Sequence, residues 1–141
     1  MTGARRKARI VALQILYEVD AIRRDVAAVL VRGLEEAELS AENKAFVSGL
    51  VRGVIRNKEK IDRTIREYAP AWPIEQIAII DRNILRLAIF EILFDNGVSV
   101  KIAINEAVEL AKKFGSNNSP RFVNGVLGSV SALASRQKAL D

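Results

Sequence analysis

The 141-residue chain contains no cysteine and no histidine. The first absence excludes disulfides and thiolate nucleophiles. Together they exclude the common zinc-ligand sets and the usual general base near neutral pH. Asp, Glu, Lys and Tyr remain for catalysis, so an enzyme is disfavoured but not excluded by composition. No apolar run approaches the ~20 uncharged residues of a membrane span. The densest stretch, "ILRLAIFEILF" at 84–94, is interrupted by Arg86 and Glu91. The amino end is basic, but it leads into a pattern carrying Glu18 and Asp20, not the uncharged core of a signal peptide. A cytoplasmic protein without a membrane partner is expected.

What is present is helical. Half the residues are hydrophobic and 28% charged, which suits one self-folding domain spanning 1–141. Apolar residues recur three and four apart, and no clear strand alternation competes with them. A first helix is predicted over about 4–22, with Ala8, Ala12, Ile15, Leu16, Val19 and Ile22 on one stripe. Asp25 caps a second, and Ser40 a third that runs through Ile65 to Tyr68 with a break near Asn57. Prolines are few, and two of the three fall in "YAPAWP", 68–73. They stop one helix and restart the chain, so 68–73 is read as a joint between sub-bundles of about 4–68 and 74–135. A short turn at 74–79 precedes an almost all-round apolar helix at 80–95. After a break at "DNG", 95–97, a helix over 101–114 ends at Gly115. Ser119 and Pro120 then start the last, which runs to about 135. Gly49 with Gly53, and Gly125 with Gly128, each share a helical face and predict close helix contacts; Gly33 is read as tolerated noise.

Charge is unevenly placed. The net charge is +5 from 22 basic and 17 acidic residues; without Arg5, Arg6, Lys7 and Arg9 the balance is 18 against 17. The basic character is therefore a local patch, which suggests a polyanion partner. It also sits at a helix amino terminus, where each exposed cation costs about 0.3–1 kcal/mol. Phosphates offset that cost through charge-assisted, often bidentate bonds to arginine. The bland alternative is a solvated terminus.

The second informative stretch is "FGSNNSPRFVNG", 114–125. A helix start leaves backbone N–H groups pointing outward, which favours anions. Arg121 adds a cation and Phe122 a stacking face, while Asn117, Asn118 and Ser119 can read base edges, as in single-stranded RNA recognition. The alternative is an ordinary capped helix with Phe122 in the core; Tyr17 also reads more naturally as core. Asp81 with Glu91, or Glu106 with Glu109, could form carboxylate pairs, but capping and salt-bridge roles fit them better. "GLVRGV" at 49–54 lies within a helix, so its backbone N–H groups are occupied and it is no phosphate loop. No metal ligand set and no cofactor site are read from the chain.

Taken together, "RRKARIVALQILYEVD" at 5–20, "DRNILRLAIFEI" at 81–92 and "VKIAINEAVELAKKFGSNNSPRFVNGVLGSV" at 100–130 resemble the NusB family of bacterial transcription antitermination factors. The resemblance covers nearly the full length, and the last block is the specific one. It implies an all-α fold of two small bundles packed roughly perpendicular, without enzymatic activity. It further implies binding of boxA-type single-stranded RNA together with NusE, a small-subunit ribosomal protein. That assembly helps RNA polymerase resist termination, notably on ribosomal RNA operons. By position, the RNA face would include Arg5, Arg6, Lys7, Arg9, Tyr17, Asp81, Asn118 and Phe122, beside Ser119 and Arg121 from the direct reading. NusE would dock mainly on helices of the carboxyl half. The family includes monomers and homodimers, and a homodimer could bury the RNA face. Lys7 departs from the run of three arginines in many relatives; lysine keeps the charge and loses the bidentate fork. Members fused to methyltransferase domains exist, but the chain ends soon after its helical unit. Two other classes stay open at this level: a helical protein-interaction adaptor without specific RNA binding, and a small helical enzyme using Arg, Lys and Glu.

Overall fold

The computed structural model describes the backbone of residues 2–95 and 97–140, with side chains for 3–95 and 97–136. Among these residues there are seven α-helices, one 3-10 turn and no strand. The helices are α1 (Thr2–Ile22), α2 (Val26–Glu36), α3 (Ala41–Arg56), α4 (Lys58–Tyr68), α5 (Ile79–Leu93), α6 (Val100–Phe114) and α7 (Ser119–Leu140), and the 3-10 turn spans Ile74–Gln76. The expected break at 95–97 includes Asn96, which lies outside the described residues. No helix among those described is long and apolar enough to cross a membrane.

Two compact units divide between Arg56 and Asn57. In the first, α1 packs on α3 and α2. Its stripe of Ala8, Ala12, Leu13, Ile15 and Leu16 is buried, as are Val47, Leu50, Val51 and Val54 of α3 and Val29 and Leu30 of α2. Each fully buried Leu or Ile contributes about 1.5–3 kcal/mol. The caps expected from sequence are made: Asp25 accepts from the Ala28 N–H at 3.1 Å, and Ser40 Oγ from the Asn43 N–H at 3.1 Å. Glu18 of α1 pairs with Arg32 of α2 and, at 3.4 Å, with Arg24. The hydrogen bond from Arg32 holds the Glu18 carboxyl below its usual range.

In the second unit α5 is central, contacting α4, α6 and α7. That position explains its all-round apolar sequence: a helix covered on every side has no solvent face to mark. Three charged residues are nevertheless buried in it, Asp81, Arg86 and Glu91, 8%, 5% and 3% exposed. Arg86 forms a bidentate pair with Asp62 of α4, Nε to Oδ1 at 2.8 Å and Nη2 to Oδ2 at 3.2 Å. Its third group, Nη1, donates to Asn83 Oδ1 at 3.2 Å, and Asn83 donates in turn to the Ile79 carbonyl at 2.8 Å. The proline stretch at 68–73 thus connects α4 to α5 inside this unit. The Ile61 and Ile65 stripe of α4 is buried, and α4 packs on α5 and α7, which moves the division of units forward to 56/57.

The glycines correct two expectations. A Cβ added at Gly49, Gly125 or Gly128 would meet nothing within 4 Å, so these three face open space and make no close helix contact. Only Gly53 of the two pairs is buried. At Gly33, read as noise, a Cβ would stand 2.8 Å from Ile15 Cδ1, so this glycine marks the close approach of α2 to α1. Spacing reveals which glycines share a face, but not whether that face is covered. Gly125→Ala is therefore expected to stabilise the protein by about 1 kcal/mol, the helix-propensity difference. Thermal melting should show a rise of a few degrees; a fall would restore the close-contact reading.

Gly115 is demanding for a steric reason. It ends α6, and a Cβ there would lie 2.5 Å from Ser119 Cβ and 2.9 Å from the Ala111 carbonyl oxygen. Two of those atoms belong to backbone or a buried residue and cannot yield. Gly115→Ala is expected to cost about 1–3 kcal/mol, the usual overpacking penalty, read as a lower denaturation midpoint with RNA binding intact below it.

Candidate nucleic-acid interface

The amino-terminal group lies on the first two turns of α1. Arg6 and Lys7 are exposed, and Arg5 is half-buried. Arg5 is held from α3: its guanidinium lies 4.0 Å over the Phe46 ring, Nη1 donates to Asn43 Oδ1 at 3.1 Å, and Nη2 sits 3.5 Å from Glu42 Oε1. Arg9 departs from the expectation that all four cations contact phosphate. It is 3% exposed and lies 5.2 Å from the same ring. Positions 5 and 9 are one turn apart and face α3, whereas 6 and 7 turn away from it. Arg9 thus supports the patch from below. Tyr17 is 41% exposed, against its reading as core.

Phe46 and Asn43 were not expected as site residues. Phe46 falls on the apolar stripe of α3, and nothing in its spacing shows that a cation covers it. Phe46→Leu removes the ring quadrupole, and with it about 0.5–1 kcal/mol of cation–π attraction. Arg5 would be less ordered, so RNA affinity should fall about two- to five-fold, with Phe46→Tyr restoring it. Unchanged binding by Phe46→Leu would show that the stack orders nothing relevant.

The second group surrounds a cavity of ≈ 240 Å³ whose lining includes Trp72, Gln76, Asp81, Asn118, Ser119 and Phe122. It brings together the start of α5 and the turn before α7. Asn118 is exposed and Phe122 half-buried, so the ring is not in the core. Arg121 is exposed on the first turn of α7 and is not among the lining residues. Ser119 is a correction: it is 2% exposed, and its Oγ accepts from the Ser116 N–H at 2.9 Å. Its hydroxyl closes the turn and is not offered outward. Asp81 is likewise buried, 8% exposed, and its Oδ1 has no hydrogen-bond partner among the described residues. It stands in the first turn of α5, where a carboxylate favours the helix dipole. Trp72, 54% exposed at the rim, was not singled out from sequence. Its only signal was an aromatic residue in a proline-bounded loop.

The arrangement offers little to acid–base chemistry. Asp81 and Glu91 lie ten residues apart on one helix, about 15 Å along its axis. Glu106 is buried, while Glu109 is exposed and paired with Lys112 at 3.3 Å. No cluster of three potential metal ligands occurs among the described residues.

Comparison with known proteins agrees with this geometry. The chain matches the NusB family over residues 6–132. It is 53% identical to the transcription antitermination protein NusB of Dehalococcoides mccartyi, over 98% of this chain and 97% of that one. Among solved structures it is similar to T. maritima NusB, with TM-score 0.86 and 32% identity over 91% of this chain and 90% of that one. A structure of the antitermination factors NusB and NusE in complex with double-stranded RNA gives TM-score 0.86 and 26% identity, covering 94% and 99%. An all-helical fold, cations on an exposed helix start and a match along almost the whole chain lead to one assignment: this chain belongs to the NusB family of transcription antitermination proteins.

Proposed function

We propose that this protein acts without catalysis, binding boxA-type single-stranded RNA jointly with NusE in the cytoplasm. There it supports an RNA polymerase complex that resists termination on ribosomal RNA operons. One observation carries the pairing of RNA with NusE: a NusB of the same fold along 94% of this chain has been solved with NusE and double-stranded RNA. The exposed Arg6 and Lys7 and the ordered Arg5 supply phosphate contacts, while Asn118 and Phe122 supply groups that meet bases. The test is a titration of the full chain with a labelled boxA-type oligonucleotide, with and without NusE. Salt-dependent binding that tightens when NusE is added is expected. Binding of NusE with no RNA affinity at low salt would instead identify a protein-interaction adaptor.

A further inference from the structure

The Arg5 guanidinium is engaged on three sides by α3. Phe46 lies under its face at 4.0 Å, Asn43 Oδ1 accepts from Nη1 at 3.1 Å, and Glu42 Oε1 stands 3.5 Å from Nη2. These neighbours differ in charge. The ring and the amide are neutral, so they hold the guanidinium without neutralising it, whereas Glu42 brings a carboxylate. Glu42 also stands at the decisive nitrogen. A guanidinium has two edges for a bidentate anion, Nε with Nη2 and Nη1 with Nη2, and Nη2 belongs to both. A phosphate using either edge therefore meets Glu42 there.

We propose that Glu42 is a built-in competitor for RNA phosphate at Arg5: it holds the place of the phosphate in the free protein, and RNA must displace it. The inference rests on the RNA-binding reading above and deepens it with a residue that tunes affinity at the same site. Two features make displacement easy. The Glu42 side chain is 83% exposed, so a carboxylate leaving Arg5 passes directly into water. It also belongs to the first turn of α3, where the helix dipole favours a negative charge whether or not Arg5 is paired. At 3.5 Å the pair is longer than a charge-assisted hydrogen bond, and such exposed pairs contribute little to stability. The consequence is for binding. Arg5 stays ordered while its charge is masked, and a polyanion that also engages Arg6 and Lys7 outcompetes the single carboxylate.

The experiment titrates the full chain with a labelled boxA-type oligonucleotide at two salt concentrations. It compares the wild type, Glu42→Gln, Arg5→Ala and the double variant. Glu42→Gln keeps the size of the side chain and removes its charge. It is expected to bind about two- to fivefold tighter at low salt, the range of an exposed ion pair, with a smaller gain at high salt where exposed charges are screened. In the Arg5→Ala background the same substitution should give no gain. An equal gain in both backgrounds would reveal plain repulsion between Glu42 and RNA, and overturns the competition at Arg5. Unchanged or weaker binding by Glu42→Gln overturns it too, since Glu42 would then orient Arg5 toward the phosphate. Either result leaves the RNA reading intact. No RNA affinity in the wild type or Glu42→Gln at low salt overturns both.

Discussion

Replacing Asp62 by alanine is expected to destabilise the protein by about 3–5 kcal/mol, the cost of stranding one partner of a buried ion pair. Arg86 is 5% exposed, so its guanidinium depends on protein partners in place of water. Without Asp62 it loses both bonds of the bidentate pair, while the bond to Asn83 at 3.2 Å, itself held through the Ile79 carbonyl, remains. Against a total stability of typically 5–15 kcal/mol, such a loss leaves little margin. Urea denaturation should show a lower midpoint with an unchanged slope. The double variant Asp62→Leu with Arg86→Met should recover much of the loss, since neither member of the pair is then left without the other. A single-variant loss below about 1 kcal/mol would mean that water reaches Arg86 and that the pair is not a buried one.

The largest effect on binding is expected from Arg5→Ala, Arg6→Ala and Lys7→Ala together. Three phosphate contacts at about −0.7 each should make the salt dependence shallower by about 2 on single strands. Affinity for boxA-type RNA should fall roughly 100-fold at low salt, if each contact contributes about 1 kcal/mol. Folding should change little: the Arg5 contacts to Phe46, Asn43 and Glu42 are lost, but alanine favours the helix and cations oppose its amino-terminal dipole. Arg9→Ala belongs to a different experiment. Its side chain is buried beside Phe46, so its loss should lower thermal stability and leave the salt slope in place. A triple variant that melts early, or keeps the full slope, would show that these cations serve the fold.

The helices were readable because their signals are local. Apolar spacing, the Asp25 and Ser40 caps and the Ser119–Pro120 start involve residues within a turn of one another, and each appears in the structure. Partners far apart in the chain leave no such trace. Asp62 and Arg86 are 24 residues apart, and either alone looks like a surface charge or an interruption of an apolar run. Arg9 was grouped with its neighbours by proximity along the chain. Its helical position, one turn from Arg5 and amid Ala8, Ala12 and Leu13, already placed it on the covered side. The candidate site of the second unit was legible as a turn with amides and an aromatic. Trp72 and the burial of Asp81 were not, because they depend on how the loop after α4 folds back beside the start of α7.

The tight turn between α6 and α7 has a kinetic consequence. Only Gly115, Ser116, Asn117 and Asn118 separate the two helices, and α6 and α7 pack directly on one another. Closing so short a loop costs little chain entropy and takes on the order of 10–100 ns, far less than assembling partners from distant segments. α5 precedes them and packs on both, so most of the contacts that build this unit link elements close in the chain, with α4 on α7 the longest link. Low contact order of this kind places helical proteins among those that fold in microseconds to milliseconds. Once both helices are synthesised, their hairpin can close without waiting for any distant segment of the chain.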